Sequence, residues 1–192
     1  MNLIGNNCVA AAIYKINNIQ YNSPFFWMNI HHNEFIYLIK HYDEINFNNF
    51  TCSLEDYYDF IKTTKINIDN KLELHYLHYR LSDNELQKKG INVFSKNIIE
   101  YTKEKYITRL NRKSKEPPIF LYSFSGIKED FKNYDDFLNE ILSITDKKII
   151  IILHPNKIKE HSVPNNIKII ELEMNKETSV FTIAKKINLM NI

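Results

Sequence analysis

Glycine and proline, which favour turns, and cysteine, which can form disulfides, are scarce in this sequence. Its 192 residues include three glycines, five prolines and two cysteines. Two cysteines cannot build a disulfide framework, so the composition favours a reducing compartment. A chain of this length buries roughly 70% of its unfolded surface without disulfides, which is enough for one large domain.

Charge and hydropathy exclude two further classes of protein. The formal net charge is +2 and no dense Lys/Arg run accompanies it, which argues against nucleic-acid binding. The aliphatic run from Ile149 to Leu153 is far shorter than the ~20 residues of a membrane span. The amino-terminal segment lacks a basic region followed by an apolar one, unlike a secretory signal. We therefore expect a soluble, cytoplasmic protein.

The last third of the chain predicts alternating strands and helices after the Pro117-Pro118 pair. The predicted elements are a strand over Ile119–Phe124, a helix over about Glu129–Ile144, strands over Ile149–Leu153 and Ile167–Leu172, and a helix near Val180–Leu189. Apolar strands alternating with amphipathic helices are typical of a parallel sheet covered on both faces. We expect a single α/β domain over residues 1–192, with a mostly parallel sheet and helices on both faces in three layers.

The first two thirds predict a less regular series of elements. These are a strand at Leu3–Ile4, helices over Cys8–Ile16, His32–Tyr42, Leu54–Lys62 and about Val93–Arg112, a strand over Leu72–Leu81, and a loop with a short edge strand within Tyr21–Ile30. The helix over Leu54–Lys62 is predicted because Ser53 and Asp56 resemble a capping box. If Leu3–Ile4 is a central strand, the break that follows it lies at the edge of the sheet where ligands bind.

The break "GNNC" between the first strand and the first helix is the strongest candidate site. Asn6 or Asn7 is a suitable N-cap for the helix. Cys8 then lies in the first helical turn, where the free amides and the helix dipole favour a thiolate. The amides of Asn7 and Cys8 could bind an oxyanion. The alternative is that Cys8 is a buried packing residue, as we expect for Cys52.

Histidines supply the candidate bases. In "LELHYLHYRL", His78 is nearest the carboxyl end of the predicted strand and is the favoured base for a nucleophilic cysteine, with His75 as a substitute. The alternative is that both are hydrogen-bonded strand residues. His154 follows an apolar strand and suits a base or a hydrogen bond to substrate, or simple solvation in a loop. No histidine or cysteine spacing predicts a metal site.

Arg109 and Arg112 are two of the few arginines in a lysine-rich chain, and they are spaced i, i+3 on the predicted helix. A guanidinium binds phosphate or carboxylate with two parallel hydrogen bonds. The pair therefore predicts an anion clamp for a phosphorylated or nucleotide-linked substrate. The alternative is a solvated helix end, where cations are favoured by the helix dipole.

The order of several motifs resembles a bacterial family of exopolysaccharide biosynthesis proteins. The resemblance rests on "NNCVAAAIYKINNIQYNSPFFW", "ELHYLHYRLSD" and "YITRLNRK", and it covers roughly residues 2 to 125. The segments "GNNC" and "SPFFW", which includes Ser23, are also similar to papain-like cysteine peptidases of capsule and lipopolysaccharide clusters. The chain departs from these patterns at Val9-Ala10-Ala11, where relatives carry Trp or Gly-Gly, and at Phe26, where the peptidase-like group carries Asp.

This resemblance implies a role in surface-polysaccharide biosynthesis. Joined to the candidate residues, it favours a transferase, with acyl transfer preferred. Cys8 and His78 would be catalytic, and the substrate-binding residues would be Asn6, Asn7, Ser23, His75, Arg109, Arg112 and His154. Coenzyme A or a nucleotide-linked donor would serve as cofactor. The alternatives are a papain-like cysteine hydrolase, a nucleotide-sugar glycosyltransferase and a non-catalytic glycan-binding subunit.

The expected partner is a glycan or a nucleotide-linked glycan precursor, with no nucleic acid and no metal. We expect association at the periphery of the membrane polysaccharide machinery. The aromatic segments "YNSPFFWMNI" and "EDYYDF" could stack on sugar rings, and a single domain with an aromatic edge would suit a homodimer.

Overall fold

The computed structural model describes residues 2–58, 61–82, 91–124, 134–155, 162–173 and 178–188, and within these the side chains of 56–58, 61–62, 77–82, 91–97, 134 and 188 are not described. In chain order the elements are β1 (Leu3–Gly5), α1 (Val9–Ile16), β2 (Met28–Asn29), α2 (His32–His41), β3 (Phe50–Tyr58), β4 (Ile61–Ile68), β5 (Leu72–Ser82), α3 (Ile91–Leu110), β6 (Ile119–Ser123), α4 (Tyr134–Leu142), β7 (Lys148–Leu153), β8 (Ile167–Glu171) and α5 (Val180–Asn188).

The chain divides into two compact units, and the protein is a mixed α/β fold. The parallel-sheet unit comprises Met1–Tyr21 and Ser114–Ile192, and the antiparallel-sheet unit comprises Asn22–Lys113. The α/β class is confirmed. The expectation of a single mostly parallel sheet is corrected, because a second, antiparallel sheet is present. The three-layer arrangement stays a prediction, as does the expectation of a single domain.

The parallel-sheet unit is a four-stranded sheet in the order β1-β6-β7-β8. All three strand pairings are parallel, with Gly5 beside Leu121 and Leu121 beside Ile150. Five of the six residues of β7 are buried, so this strand is covered on both of its faces. Helix α1 packs against α5, and Lys15 lies over the ring of Phe181 at 5.3 Å.

The first strand lies at an edge of the sheet, so the condition that it is central is not met. Among the described strands, β1 pairs with β6 alone. Its residues Leu3 and Ile4 are nevertheless fully buried. The hydroxyl of Tyr14 on α1 accepts a hydrogen bond from the Leu3 amide at 3.3 Å, so the helix satisfies part of this edge.

The antiparallel-sheet unit has the strand order β2-β5-β4-β3. Its apolar face packs against α3, where Phe50 contacts Tyr106 with ring centroids 4.5 Å apart. On the same helix Thr102 donates a hydrogen bond to Thr64 at 3.2 Å. The Tyr106 hydroxyl donates to the Phe47 carbonyl at 2.9 Å, and burial raises the pKa of that phenol. The short strand β2 is at the sheet edge, as the sequence predicts.

The predicted helix over Leu54–Lys62 is wrong, because its described residues, 54–58 and 61–62, belong to the strands β3 and β4. Residues of β3 alternate between the two faces of the sheet, and Cys52 and Leu54 lie on the same face as Phe50. Ser53 pairs with Lys65 in the strand ladder, so it does not cap a helix. Pairing with β4 supplies the backbone hydrogen bonds that this segment would otherwise have made within a helix.

None of the helices in the described residues combines the length and the apolar composition that a bilayer-spanning segment requires.

We predict that Ile151→Ala lowers the free energy of unfolding by about 2–5 kcal/mol, because it leaves a cavity at a fully buried position of β7. Chemical denaturation followed by far-UV circular dichroism measures the change. Lys148→Ala, at the exposed start of the same strand, is the matched control and should change stability by less than about 0.5 kcal/mol. Equal effects of the two variants would contradict the burial of β7.

Candidate active site

Gly5, the last residue of β1, lies close to the start of helix α1. A Cβ atom added at Gly5 would lie 2.8 Å from the Cβ of Ala10 and 3.2 Å from the carbonyl oxygen of Asn7. The first contact is shorter than side chains tolerate, and the second would require the Asn7 backbone to shift by a few tenths of an ångström. The small residues Gly5 and Ala10 therefore allow α1 to start directly above the end of β1.

Asn6 ties this loop to the neighbouring strand. Its Oδ1 accepts a hydrogen bond from the Ser123 amide at 2.8 Å, and its Nδ2 donates to the Ser123 carbonyl at 3.2 Å. The Asn6 backbone amide donates to the Leu121 carbonyl at 3.1 Å. Because the side chain is only 1% exposed, these bonds continue the β1–β6 ladder past the end of β1. Asn6 thus positions the loop, and its predicted contact with substrate stays a prediction.

The N-cap position is held by Cys8 and not by an asparagine, but the side chain of Asn7, one residue earlier, binds an amide at the start of the helix. Its Oδ1 accepts a hydrogen bond from the Val9 amide at 3.1 Å, which satisfies a free amide at the start of α1. Its Nδ2 donates to the Ser123 carbonyl at 3.2 Å. One side chain therefore joins the helix start to the end of β6.

Cys8 immediately precedes α1 and is half-buried. Its carbonyl accepts a hydrogen bond from the Ala12 amide at 3.0 Å, as the carbonyl of an N-cap residue does. No acidic residue is present in the first turn of α1, so no carboxylate on that turn opposes the helix dipole at this position.

His154 lies at the same edge of the parallel sheet. It is exposed, it follows Leu153 at the end of β7, and its Nδ1 lies 3.3 Å from the Pro155 carbonyl oxygen. Strands in a sheet are ~4.8 Å apart, so the ends of β1 and β7 are separated by about 10 Å with β6 between them. The parallel-sheet unit thus brings Asn6, Asn7, Cys8, Ser123 and His154 to one edge, where ligands bind in open parallel sheets.

A second polar centre lies in the antiparallel-sheet unit. We call Glu55 on β3, Lys65 on β4, and Glu73 and His75 on β5 the charged cluster. Lys65 Nζ lies 3.3 Å from Glu55 Oε2 and 3.3 Å from Glu73 Oε1. The His75 Nδ1 contacts Glu55 Oε1. The cluster joins three neighbouring strands through one face of the sheet.

The environment of the charged cluster shifts two of its pKa values. The hydrogen bond from Lys65 to Glu55 raises the pKa of the ammonium group. Burial lowers the pKa of His75, and the neighbouring Glu55 carboxylate opposes this shift without reversing it. The ring of His31 lies edge-on to His75, with centroids 4.9 Å apart. His75 is 7% exposed, so it is held in a covered position.

The two arginines occupy different environments. Arg109 is buried, donates a hydrogen bond to the Phe26 carbonyl at 2.5 Å, and lies over the ring of Tyr76 at 5.9 Å. Arg112 is exposed and follows the end of α3 at Leu110. The buried guanidinium therefore anchors the "SPFFW" segment. The expected anion clamp stays a prediction.

The remaining predicted residues are placed as follows. Ser23 is buried, and its Oγ accepts a hydrogen bond from the Phe25 amide at 3.3 Å. The His78 side chain lies outside the described residues, so its role as base stays a prediction. Cys52 lies on β3 with Sγ 3.9 Å from the Ile99 carbonyl oxygen, and burial raises the pKa of its thiol to about 11.

Sequence reasoning missed Ser123, Glu55 and Lys65. Ser123 ends a predicted apolar strand, and a polar residue at that position is a usable signal for a contact at the sheet edge. Glu55 and Lys65 were missed because a helix over Leu54–Lys62 was expected. That expectation excluded the pairing of β3 with β4 that brings the two side chains together.

No family model and no curated protein matches this chain. The described residues bring together no group of three or more His, Cys, Asp or Glu side chains that could hold a metal ion.

We predict that Asn6→Ala lowers the free energy of unfolding by about 1–3 kcal/mol, because it leaves the buried amide and carbonyl of Ser123 without the bonds that Asn6 supplies. Chemical denaturation measures the loss. Asn139→Ala, at an exposed position of α4, is the matched control and should change stability by less than about 0.5 kcal/mol. A neutral Asn6→Ala would show that the loop is held by other contacts.

Proposed function

We propose that the protein is an acyltransferase of surface-polysaccharide biosynthesis, with Cys8 as the nucleophile in the parallel-sheet unit. The observation that carries this proposal is the position of Cys8 directly before α1, in the loop that follows the carboxyl end of β1. The loop that holds it is fixed by the bonds of Asn6 and Asn7 to Ser123. A preorganised thiol at a helix start is one requirement of a nucleophilic cysteine.

The proposed reaction proceeds in two steps that share an acyl-cysteine. The Cys8 thiolate attacks the carbonyl carbon of an acyl thioester, the C–S bond to the donor breaks, and the donor thiolate leaves and takes up a proton. A hydroxyl group of the glycan or its precursor then attacks the acyl carbon and loses its proton to a base. The bond from the acyl carbon to Sγ breaks, and the Cys8 thiolate is restored.

The loop geometry suits stabilisation of the oxygen that becomes negative in each step. Backbone amides at the start of a helix bind anions. The Val9 amide already donates to Asn7 Oδ1. The backbone amides of Asn7 and Cys8 are the proposed donors to the oxyanion, and substrate would take the place of their present partners.

The resemblance supports the proposed substrates, and position on the sheet supports one of the two candidate bases. The motif order that resembles exopolysaccharide biosynthesis proteins supports a glycan acceptor. A thioester of coenzyme A is the proposed donor, because its acyl group can pass directly to the Cys8 thiolate. His154 is the candidate base on the same sheet edge as Cys8, and His78 is the candidate that the resemblance supports. A water molecule in place of the acceptor would convert the same site into a hydrolase.

We predict that Cys8 is alkylated by iodoacetamide far faster than Cys52 at pH 8, with an apparent pKa below the ordinary ~8.5 of a cysteine. A pKa of about 11 leaves Cys52 with about one thiolate in a thousand at that pH. Peptide mass spectrometry over pH 5 to 10 follows both cysteines in the same sample. A slow Cys8 without a depressed pKa would make it a packing residue.

We predict that incubation with acetyl-coenzyme A, followed by acid quenching, leaves an acetyl group on Cys8. The adduct should form in the Cys52→Ala variant and be absent from Cys8→Ala, as measured by intact-protein and peptide mass spectrometry. Cells that carry Cys8→Ala in place of the native chain should lose acyl groups from their surface glycan, while those with Cys52→Ala keep them. Unchanged glycan acylation in the Cys8→Ala cells would overturn the proposal.

A further inference from the structure

Trp27 of the antiparallel-sheet unit has a backbone conformation that its side chain does not favour. Its φ is 64°, in the left-handed region where a residue with a bulky side chain is rare. The other described non-glycine residues with a positive φ are Asn18, Asp69 and Asn70. Asn and Asp tolerate this region because their short polar side chains bond locally. Trp27 therefore carries backbone strain, which persists only where surrounding contacts hold it.

The strained residue is the third position of a tight turn. The Met28 amide donates a hydrogen bond to the Phe25 carbonyl at 3.2 Å and closes the turn. Turns with a positive φ at the third position usually have Gly or Asn there. The buried Arg109 donates to the Phe26 carbonyl at 2.5 Å, and Met28 pairs with β5. These contacts hold Trp27 in a conformation that a glycine would adopt without strain.

Packing of the core does not account for a tryptophan at this position. Phe25 and Phe26 are 1% exposed and Met28 is 0% exposed, whereas Trp27 between them is only half-buried. The residue that carries the strain is thus the one that contributes least to the core of this segment. Strained residues cluster at ligand-binding and active sites, where the surrounding structure keeps them in place.

Polar groups that suit a hydroxyl-rich ligand follow the turn. Asn29 is two residues beyond Trp27, so their Cα atoms are at most about 7 Å apart. Asn29 lies in the ladder beside the histidine of the charged cluster. In that cluster Lys65 lies 3.3 Å from a carboxylate oxygen of Glu55 and 3.3 Å from one of Glu73. Because this cation is already paired with two carboxylates, the cluster favours hydroxyl donors over a phosphate.

We propose that Trp27 forms the aromatic surface of a glycan-binding site. The apolar face of a sugar ring packs on the indole, and hydroxyl groups of the glycan bond to Asn29 and to the carboxylates of the charged cluster. An aromatic surface with a few placed polar groups is the usual composition of a small-molecule site. The class of ligand rests on the proposed function, in which a glycan or its precursor is the acceptor. Binding itself requires no chemistry at Cys8.

Fluorescence titration tests the proposal, because Trp27 is the single tryptophan and reports on the site directly. The probe is the surface polysaccharide of the cells that produce the protein, deacylated with mild base and cut to short oligosaccharides. Binding should shift the indole emission to shorter wavelength in a saturable manner, in the wild type and in Cys8→Ala alike. A shift without any acyl group on Cys8 would contradict the proposed acyl transfer and leave the glycan site standing.

Three variants separate binding from folding. Trp27→Gly should weaken oligosaccharide binding at least about tenfold by isothermal titration calorimetry. It should do so without lowering the melting temperature, because glycine adopts the turn without strain. Trp27→Tyr keeps an aromatic ring and should restore most of the affinity. Asn70→Gly, at a left-handed position with φ of 54°, is the matched control and should bind like the wild type.

Three results would overturn the proposal. The first is the absence of a saturable shift with the oligosaccharides, even where Cys8 is acylated. The second is an equal shift with tetramethylammonium chloride, which would make the indole a cation site. The third is a fall of about 10 °C or more in the melting temperature of Trp27→Gly, which is typical of a lost core aromatic and would make Trp27 a packing residue.

Discussion

Parallel pairing of β1 with β6 is the constraint on which the parallel-sheet unit and its candidate site depend. The chain leaves this unit after Tyr21, forms the whole antiparallel-sheet unit, and returns at Ser114. The entropic cost of closing such a loop grows only slowly with its length, so a long insertion is tolerated. The pairing must still be specified, and Asn6 extends it by bonding both backbone groups of Ser123.

The same pairing determines what the candidate site can contain. It places the loop that ends at Cys8 beside the end of β6, and it places His154 one strand further along the sheet. The hydrogen-bonding groups at these strand ends would be costly to leave unsatisfied, and the side chains of Asn6 and Asn7 satisfy several of them. Polar residues next to the thiol thus hold the backbone of the loop.

The antiparallel-sheet unit holds several charged side chains on one face of its sheet, beside a buried histidine. Lys65 is held between two carboxylates, so it neutralises part of their charge while one of them faces His75. Arg109 is buried in the same unit and bonds the Phe26 carbonyl. In both cases the polar group is paired within the fold, as the cost of burying charge requires.

The sequence by itself determined the features that depend on neighbouring residues. The strand, polar loop and helix around Cys8 and the apolar strands of the last third were predictable because their signals span a few residues. Only the tertiary structure decided which distant residues meet. The partner of Asn6, the strand character of Glu55 and the burial of Arg109 depend on contacts between segments far apart in the chain. Local periodicity carries no information on such contacts, because packing and strand pairing override intrinsic preference.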